Sequence, residues 1–355
     1  MFMLVKNVTI FTKHIIQMEN KKKILPTAIG AIHKKIIMQT NAIEAAVTAL
    51  KNNEIIGLPT ETVYGLAGNA FSEIAVEKIF ALKNRPHFNP LIVHIKSAAA
   101  LTLVAKNIPW VAVQLADAFW PGPLTLVLEK QDHIPDLVTG GKNTVGVRVP
   151  NHPVALELLE QLDFPLAAPS ANPFGSISPT TAKHVADYFT DTLAIILDGG
   201  SCDKGIESTI IGFENGQAIM YRQGSTKVED IEKITGPLQI RVHANNESVV
   251  APGMLSKHYA PVTTTILTGD IALDIQKYSD KRIGVLQLSP TILPSFVIAV
   301  ETLSQTGNLE EAAKNLYAAM HRLDHQNLDL IIAQKMPTVG MGLAINDKLE
   351  RAATT

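Results

Sequence analysis

A single cysteine, Cys202, in 355 residues leaves no partner for an intramolecular disulfide and too few thiols for a thiolate-rich metal site. It is expected to be an idle, buried thiol, because nothing near it in sequence resembles the base a catalytic thiol needs. A reducing compartment, and so a cytoplasmic protein, follows as an expectation. Charge of one sign is also lacking. The formal net charge is −2, which excludes the global basic field of a dedicated nucleic-acid binder but leaves room for a local basic patch. Long apolar runs are scarce: residues 283–300 come nearest to a membrane span, and Ser289-Pro290-Thr291 and Pro294-Ser295 cut them into strand-length pieces. Several signatures are missing as well. Gly140-Gly141-Lys142-Asn143 lacks the phosphate-loop glycine at 136, which is Asp, and has Asn where Ser or Thr should follow the lysine. Gly340-Met341-Gly342 lacks the third glycine of a dinucleotide fingerprint, and there is no GxSxG and no HExxH.

What is present is a chain 46% hydrophobic, enough for a sizeable core and, by length, for two domains. The first 37 residues stand apart. They carry lysines at 6, 13, 21, 22, 23, 34 and 35 against one acid, Glu19, with no Arg or Ser and no secretory apolar region. A disordered basic extension or a start codon called too early are the two expected readings, and activity should survive removal of 1–37. Regular patterning begins near Met38.

The periodicity predicts helices over 41–50, 72–83, 111–119 and 152–162, and one that Ser178-Pro179-Thr180-Thr181 starts and that runs through His184 to Phe189. It predicts strands over 54–58, 63–66, 90–95, 124–128, 144–149, 166–169, 195–197 and 209–212. In the 90–95 strand Leu91, Val93 and Ile95 share one face, and Ile92 and His94 the other. Helices and strands mix without strict alternation, which favours an α/β sheet of mixed strand direction over a doubly wound parallel one. Domain boundaries are expected at 38–240 and 263–355, with a polar linker over 241–262. The second domain reads as small and α/β, with strands at 282–287, 296–300 and 328–333 and helices at 309–323 and 343–353.

Polar turns at strand ends carry the candidate chemistry. Lys83 and Arg85 sit where Pro86 stops a helix. They either neutralise the negative helix end, which needs one cation, or bind an anion, which suits two. Pro169-Ser170-Ala171-Asn172-Pro173 holds a hydroxyl and an amide between two prolines, as a rigid hydrogen-bonding turn or an ordinary loop. Thr180, at the start of a helix, reads as a phosphate site or a simple cap. Glu207-Ser208-Thr209 and Tyr221-Arg222-Gln223-Gly224 flank one strand with polar groups. His94 is open between a core histidine and a site residue.

Together these segments resemble the Sua5/YrdC/YciO family, in its two-domain Sua5 form, from about Met38 to the C-terminus. The resemblance rests on Leu58-Pro59-Thr60-Glu61-Thr62-Val63-Tyr64-Gly65-Leu66, Lys83-Asn84-Arg85-Pro86 with Asn89-Pro90-Leu91, Trp120-Pro121-Gly122-Pro123-Leu124-Thr125 and Val147-Arg148-Val149-Pro150. Ala168-Pro169-Ser170-Ala171-Asn172, Glu207-Ser208-Thr209, Arg222-Gln223-Gly224, Ala251-Pro252-Gly253-Met254, Lys257-His258-Tyr259-Ala260-Pro261 and Gly342-Leu343-Ala344-Ile345-Asn346-Asp347 complete it.

The resemblance implies a twisted mixed α/β sheet around a large concave, positively charged cavity, plus a small Rossmann-like α/β C-terminal domain. It implies adenylate formation: L-threonine, bicarbonate or CO2, and ATP give threonylcarbamoyl-AMP and pyrophosphate, for modification of the tRNA adenosine next to the anticodon. It further implies a core of Lys83, Arg85, Ser170 and Asn172. ATP would be held by Arg85, Asn89, Thr144, Asn172, Thr180, Arg222, His258 and Tyr259, the last two from a linker over the cavity mouth. L-threonine would be held by Thr62, His94, Arg148, Ser170 and Ser208. Mg²⁺ is expected mainly on the ATP phosphates rather than in a protein cage. The expected partners are a downstream threonylcarbamoyl transferase and a weak RNA contact, with no membrane. Two rivals are a carbamoyl-transfer domain like that of a hydrogenase maturation factor, whose zinc fingers one cysteine excludes, and a non-catalytic RNA-binding module.

Overall fold

A computed structural model describes residues 43–241, 250–254 and 258–354. The lysine-rich extension, Asn41 and much of the predicted linker lie outside the described residues. The elements are α1 (Ile43–Lys51), β1 (Ile56–Leu58), β2 (Gly65–Asn69), α2 (Glu73–Lys83), β3 (Ile92–His94), α3 (Trp110–Phe119), β4 (Leu124–Glu129), α4 (Asp136–Thr139), β5 (Thr144–Arg148), α5 (Pro153–Glu160), β6 (Leu166–Ala167), α6 (Ala182–Phe189), β7 (Thr209–Glu214), β8 (Gln217–Arg222), α7 (Val228–Thr235) and β9 (Gln239–Ile240). The C-terminal part adds β10 (Thr265–Thr268), α8 (Ile271–Lys277), β11 (Ile283–Gln287), β12 (Ala299–Thr302), α9 (Leu309–Asp324), β13 (Leu330–Gln334) and α10 (Met341–Ala352).

The first nine strands form one sheet in the order β1-β2-β6-β3-β5-β4-β7-β8-β9. Its direction is mixed: β3–β5 and β4–β7 are parallel, while β2–β6 and β4–β5 are antiparallel. The last four strands, β10-β13-β11-β12, are all parallel; α8 links β10 to β11 and α9 links β12 to β13, while β11 reaches β12 through an irregular connection. The 283–300 stretch accordingly contributes β11 and β12, and among the described residues no helix is long and apolar enough to cross a membrane.

Local chemistry explains most element boundaries. Ser72 caps α2 by accepting from the Ala75 N–H, and Asn84 ends it in the left-handed region (φ 51°) just before Arg85-Pro86. Thr181 caps α6 through the His184 N–H. Other expectations need correction. Ile195 to Leu197 is not a strand: only Ile196 bridges, to Gly57. The strand expected at 296–300 lies at Ala299–Thr302. Strands β8 and β10 and helices α7 and α8 had no counterpart in the sequence reading; the ends of β8 and α7 are polar, so their apolar periods are short.

The expected alternation around 90–95 positions the site. Leu91, Val93 and Ile95 enter the main core with Tyr64, Leu126 and Val147. Ile92 faces the other way, into a small cluster with Val127, Ile210, Tyr221, Ala251 and Met254. Segment 250–254 therefore lies against the sheet face that carries Ile92 and His94.

The two parts share a core. Val63, Ile177 and Ile206 of the first part pack with Tyr259, Leu316, Tyr317, Met320 and Ile345. Gly205 marks how close this contact is, since a Cβ there (φ 71°) would stand 2.2 Å from the Lys314 carbonyl oxygen of α9.

Candidate active site

A cavity lies between that sheet face and Pro252, Gly253, His258 and Tyr259. Its walls include Thr62, Arg85, His94, Arg148, Ser170, Ser208, Arg222, His258 and Tyr259, drawn from turns far apart in sequence. Of the other residues singled out above, Lys83, Asn89 and Asn172 are buried beside it without lining it. Thr144 and Thr180 are set apart. Thr144 opens β5 and Arg148 ends it, so they stand about 13 Å apart at strand rise. Thr180 is buried next to His184, to which its N–H donates at 3.3 Å.

Lys83 is the last residue of α2, and only 1% of it is exposed. Its ammonium donates to the backbone carbonyls of Ser170 (2.5 Å) and Asn172. Burial, then the nearby Arg85 charge, holds it well below the ordinary lysine range. Lys83 thus ties the Ser170–Asn172 turn to the helix end. The Phe174 N–H returns the tie by donating to the Lys83 carbonyl at 2.8 Å. The Asn172 carboxamide is turned toward the same loop and donates to the carbonyls of Pro173 and Ser176, both at 2.9 Å.

Arg85 is held by its own turn: Nε donates to the Asn89 carbonyl (3.1 Å) and Nη2 to that of Pro90 (2.8 Å). Among the described residues it has no acidic partner, and burial, then Arg222, lowers its pKa to about 9. Arg222 donates to the carbonyls of Ser208 (3.0 Å) and Pro252 (3.3 Å) and to Ser208 Oγ (2.9 Å). Both guanidiniums line the cavity, and among the described residues neither has a carboxylate partner, which is the electrostatic signature of an anion site. Both ends of the Asn89 carboxamide are buried without a hydrogen-bond partner among the described residues.

Arg148 is different. Its Nη2 lies 2.5 Å from Glu61 Oε1, an ion pair not aligned as a hydrogen bond, and both side chains are buried. Nη1 donates to Thr62 Oγ1 (3.0 Å) and Nε to the Gly122 carbonyl (3.1 Å). Thr62 also shares a 2.9 Å contact with Thr60 Oγ1. Burial, then Arg148, lowers His94 to about 3, so its imidazole is neutral, with Nδ1 unpartnered among the described residues. Ser208 Oγ sits 2.7 Å from Thr125 Oγ1. Thr62, His94 and the ion-paired Arg148 therefore gather at one end of the cavity, and Arg85 and Arg222, without an acidic partner among the described residues, at the other, with the Ser208 hydroxyl held by Arg222.

Linker residues line part of the cavity. His258 is buried edge-on to Phe174 (5.9 Å) and Tyr259 (4.1 Å), and burial, then Arg85, holds it well below the ordinary histidine range. Tyr259 has φ 61°, a strained value for a non-glycine, fixed by packing on Tyr317 and by Lys348 at 5.5 Å from its ring. Gly253 (φ 82°) lets the linker pass close to Arg222.

Sequence reasoning passed over several residues here. Glu61 and Glu207 lay inside matched motifs but without a role, and Gly253 read as linker. Tyr317 and Lys348, from α9 and α10, reach back to the site's walls, with Lys348 Nζ on the Gln223 carbonyl (2.8 Å). Residues 110 and 125 positions away from their partners leave no local signal.

The Sua5/YciO/YrdC family model, described as telomere recombination, matches residues 48–224, and a model for the threonylcarbamoyl-AMP synthase C-terminal domain matches 226–354. The chain is 40% identical over 324 residues to a threonylcarbamoyl-AMP synthase of Pyrococcus abyssi, covering 88% of this chain and 94% of that one. It is 39% identical over 320 residues to a threonylcarbamoyl-AMP synthase of Bacillus subtilis, covering 88% and 92%. The crystal structure of P. abyssi Sua5 complexed with L-threonine superposes with a TM-score of 0.83 at 38% identity, covering 89% of this chain and 95% of that one. The chain therefore belongs to the Sua5/YciO/YrdC family, in the form that carries the threonylcarbamoyl-AMP synthase C-terminal domain.

Proposed function

We propose that the cavity makes threonylcarbamoyl-AMP and pyrophosphate from L-threonine, bicarbonate or CO2, and ATP. The observation that carries this reading is the division of one cavity into two ends. Arg85 and Arg222 offer unpaired positive charge to phosphates, and Arg148, Thr62, His94 and Ser208 offer one balanced charge and several hydroxyls to an amino acid.

The chemistry asks little else of the protein. The threonine amine captures CO2 as a carbamate; a carbamate oxygen attacks the α-phosphate of ATP, and pyrophosphate leaves. Two anions must be brought together, so the work is alignment and charge neutralisation in a site with little water. Lys83 serves this indirectly by fixing the Ser170 turn. Mg²⁺ would arrive on the ATP phosphates: Glu207 is the one carboxylate among the described lining residues, and two hydroxyls already hold it. The product is a reactive mixed anhydride, which suits transfer to a threonylcarbamoyl transferase acting on tRNA adenosine, in the cytoplasm.

The test is to mix protein, ATP, Mg²⁺, threonine and bicarbonate and to follow pyrophosphate and the adenylate by mass. Pyrophosphate that depends on both threonine and bicarbonate is expected. Release that is indifferent to threonine would overturn the reading.

A further inference from the structure

The Glu207–Ser208 wall of the cavity is braced from outside by the C-terminal domain. Glu207 is buried, and its carboxylate accepts from two hydroxyls: Ser178 Oγ on Oε1 (2.6 Å) and Tyr317 Oη on Oε2 (2.8 Å). Ser178 belongs to the same part of the chain as Glu207; Tyr317 is on α9 and fully buried. The Glu207 backbone carbonyl is also fixed, accepting from the Ser225 N–H (2.9 Å) and hydroxyl (3.0 Å). The next residue, Ser208, accepts from Arg222 Nη2 on its hydroxyl oxygen (2.9 Å) and shares a hydrogen bond with Thr125 Oγ1 (2.7 Å).

We infer that Tyr317 is a positioning residue for the amino-acid end of the cavity, acting through Glu207 on Ser208. A buried carboxylate can take several orientations unless its oxygens are fixed, and charge-assisted hydrogen bonds are the strong ones. With one brace removed, Glu207 turns toward Ser178 alone and the short segment into Ser208 gains freedom. Placement of a small ligand tolerates little of this, because misplacement on the order of 1 Å away from the chemistry already costs rate. The C-terminal domain thereby reaches a site it does not line with its own strands or helices.

The inference rests on the synthase reading above, and the test separates the two. Tyr317→Phe keeps the tilted ring contact with Tyr259 (5.6 Å) and deletes one hydroxyl. The expected result is a rise of about five- to tenfold in KM for threonine, from loss of one hydrogen bond to a charged group. Less than about a twofold change is expected in kcat and in KM for ATP. A merely structural role would instead lower kcat through loss of active enzyme and leave both KM values alone. Lys314→Ala, which removes the exposed interdomain pair with Asp203 (3.3 Å), should change neither KM. A cycle with Glu207→Gln should be non-additive. Unchanged threonine KM in Tyr317→Phe, or full additivity with Glu207→Gln, overturns the inference while leaving the synthase reading intact. Absence of threonine-dependent pyrophosphate in the unmutated protein overturns the synthase reading instead. Should Tyr317→Phe fail to fold, Ser178→Ala removes the other brace: the same selective rise in threonine KM supports the inference, and no rise overturns it.

Discussion

Lys83 and Ser170, 87 positions apart, are joined by a 2.5 Å hydrogen bond from a buried ammonium to a backbone carbonyl. The bond assigns the two cations of the Lys83-Asn84-Arg85 turn to different tasks. One holds the loop that walls the cavity, and the other faces the cavity.

That division predicts different mutant phenotypes. Lys83→Met leaves the buried Asn172 carbonyl unpaired and the Ser170 carbonyl with only the Asn172 N–H, so stability should fall by about 2 kcal/mol together with activity. Arg85→Ala should cost about 3 kcal/mol or more in transition-state stabilisation, with a smaller loss of stability. Urea midpoints and turnover, measured on both variants, decide it. A Lys83→Met protein as stable as the parent removes the tie, and parental turnover in Arg85→Ala removes the anion site.

Glu61→Gln breaks the buried pair that aims Arg148 and leaves that arginine uncompensated. A loss of about 3 kcal/mol in stability is expected, with weaker threonine binding by calorimetry. An unaltered melt and unaltered threonine affinity would mean that Arg148 is held well enough by Thr62 and Gly122.

Gly253→Ala adds a Cβ 2.9 Å from Tyr259 Oη and 3.0 Å from Arg222 Cδ, on backbone in the left-handed region. About 1–2 kcal/mol of strain is expected, with kcat/KM for ATP reduced about tenfold because Arg222 must shift. ATP kinetics equal to the parent's would dissociate the linker from Arg222.

The interdomain histidines set a pH dependence. His184 and His321 stack at 4.0 Å, and His321 Nε2 meets the Ser178 carbonyl at 3.2 Å. Burial, chiefly, lowers His184 to about 3 and His321 to about 4, from about 6.5 in the unfolded chain. Between these values the unfolded state binds more protons, so their stabilisation is complete above about pH 6.5 and is lost as pH falls toward 4. His321→Asn should flatten the fall in unfolding free energy by about 1.4 kcal/mol per pH unit in that window. Parallel curves for variant and parent would show that His321 titrates normally.

How much of this was legible in the sequence depends on the range of each interaction. Ser72, Pro86 and the alternation of Leu91 to Ile95 act within a few residues, so α2, its stop and the two faces of β3 could be read directly. Lys83 and Arg85 were recognisable as a cationic turn, but their opposite assignments rest on where Ser170 lies in space. Thr144 shared a strand with Arg148, and only the direction of that strand relative to the cavity separates them. Tyr317 sat on an ordinary amphipathic helix, where an aromatic at core spacing signals packing and its hydroxyl signals nothing.

The core shared by Val63, Ile177 and Ile206 with Leu316, Met320 and Ile345 has a consequence for how the molecule melts. The two matched family segments meet at residues 224 and 226, yet the apolar cluster runs across that seam. What is inherited as two modules is stabilised as one. Heating should give one cooperative transition rather than two, and a chain cut at the seam would expose part of its own interior.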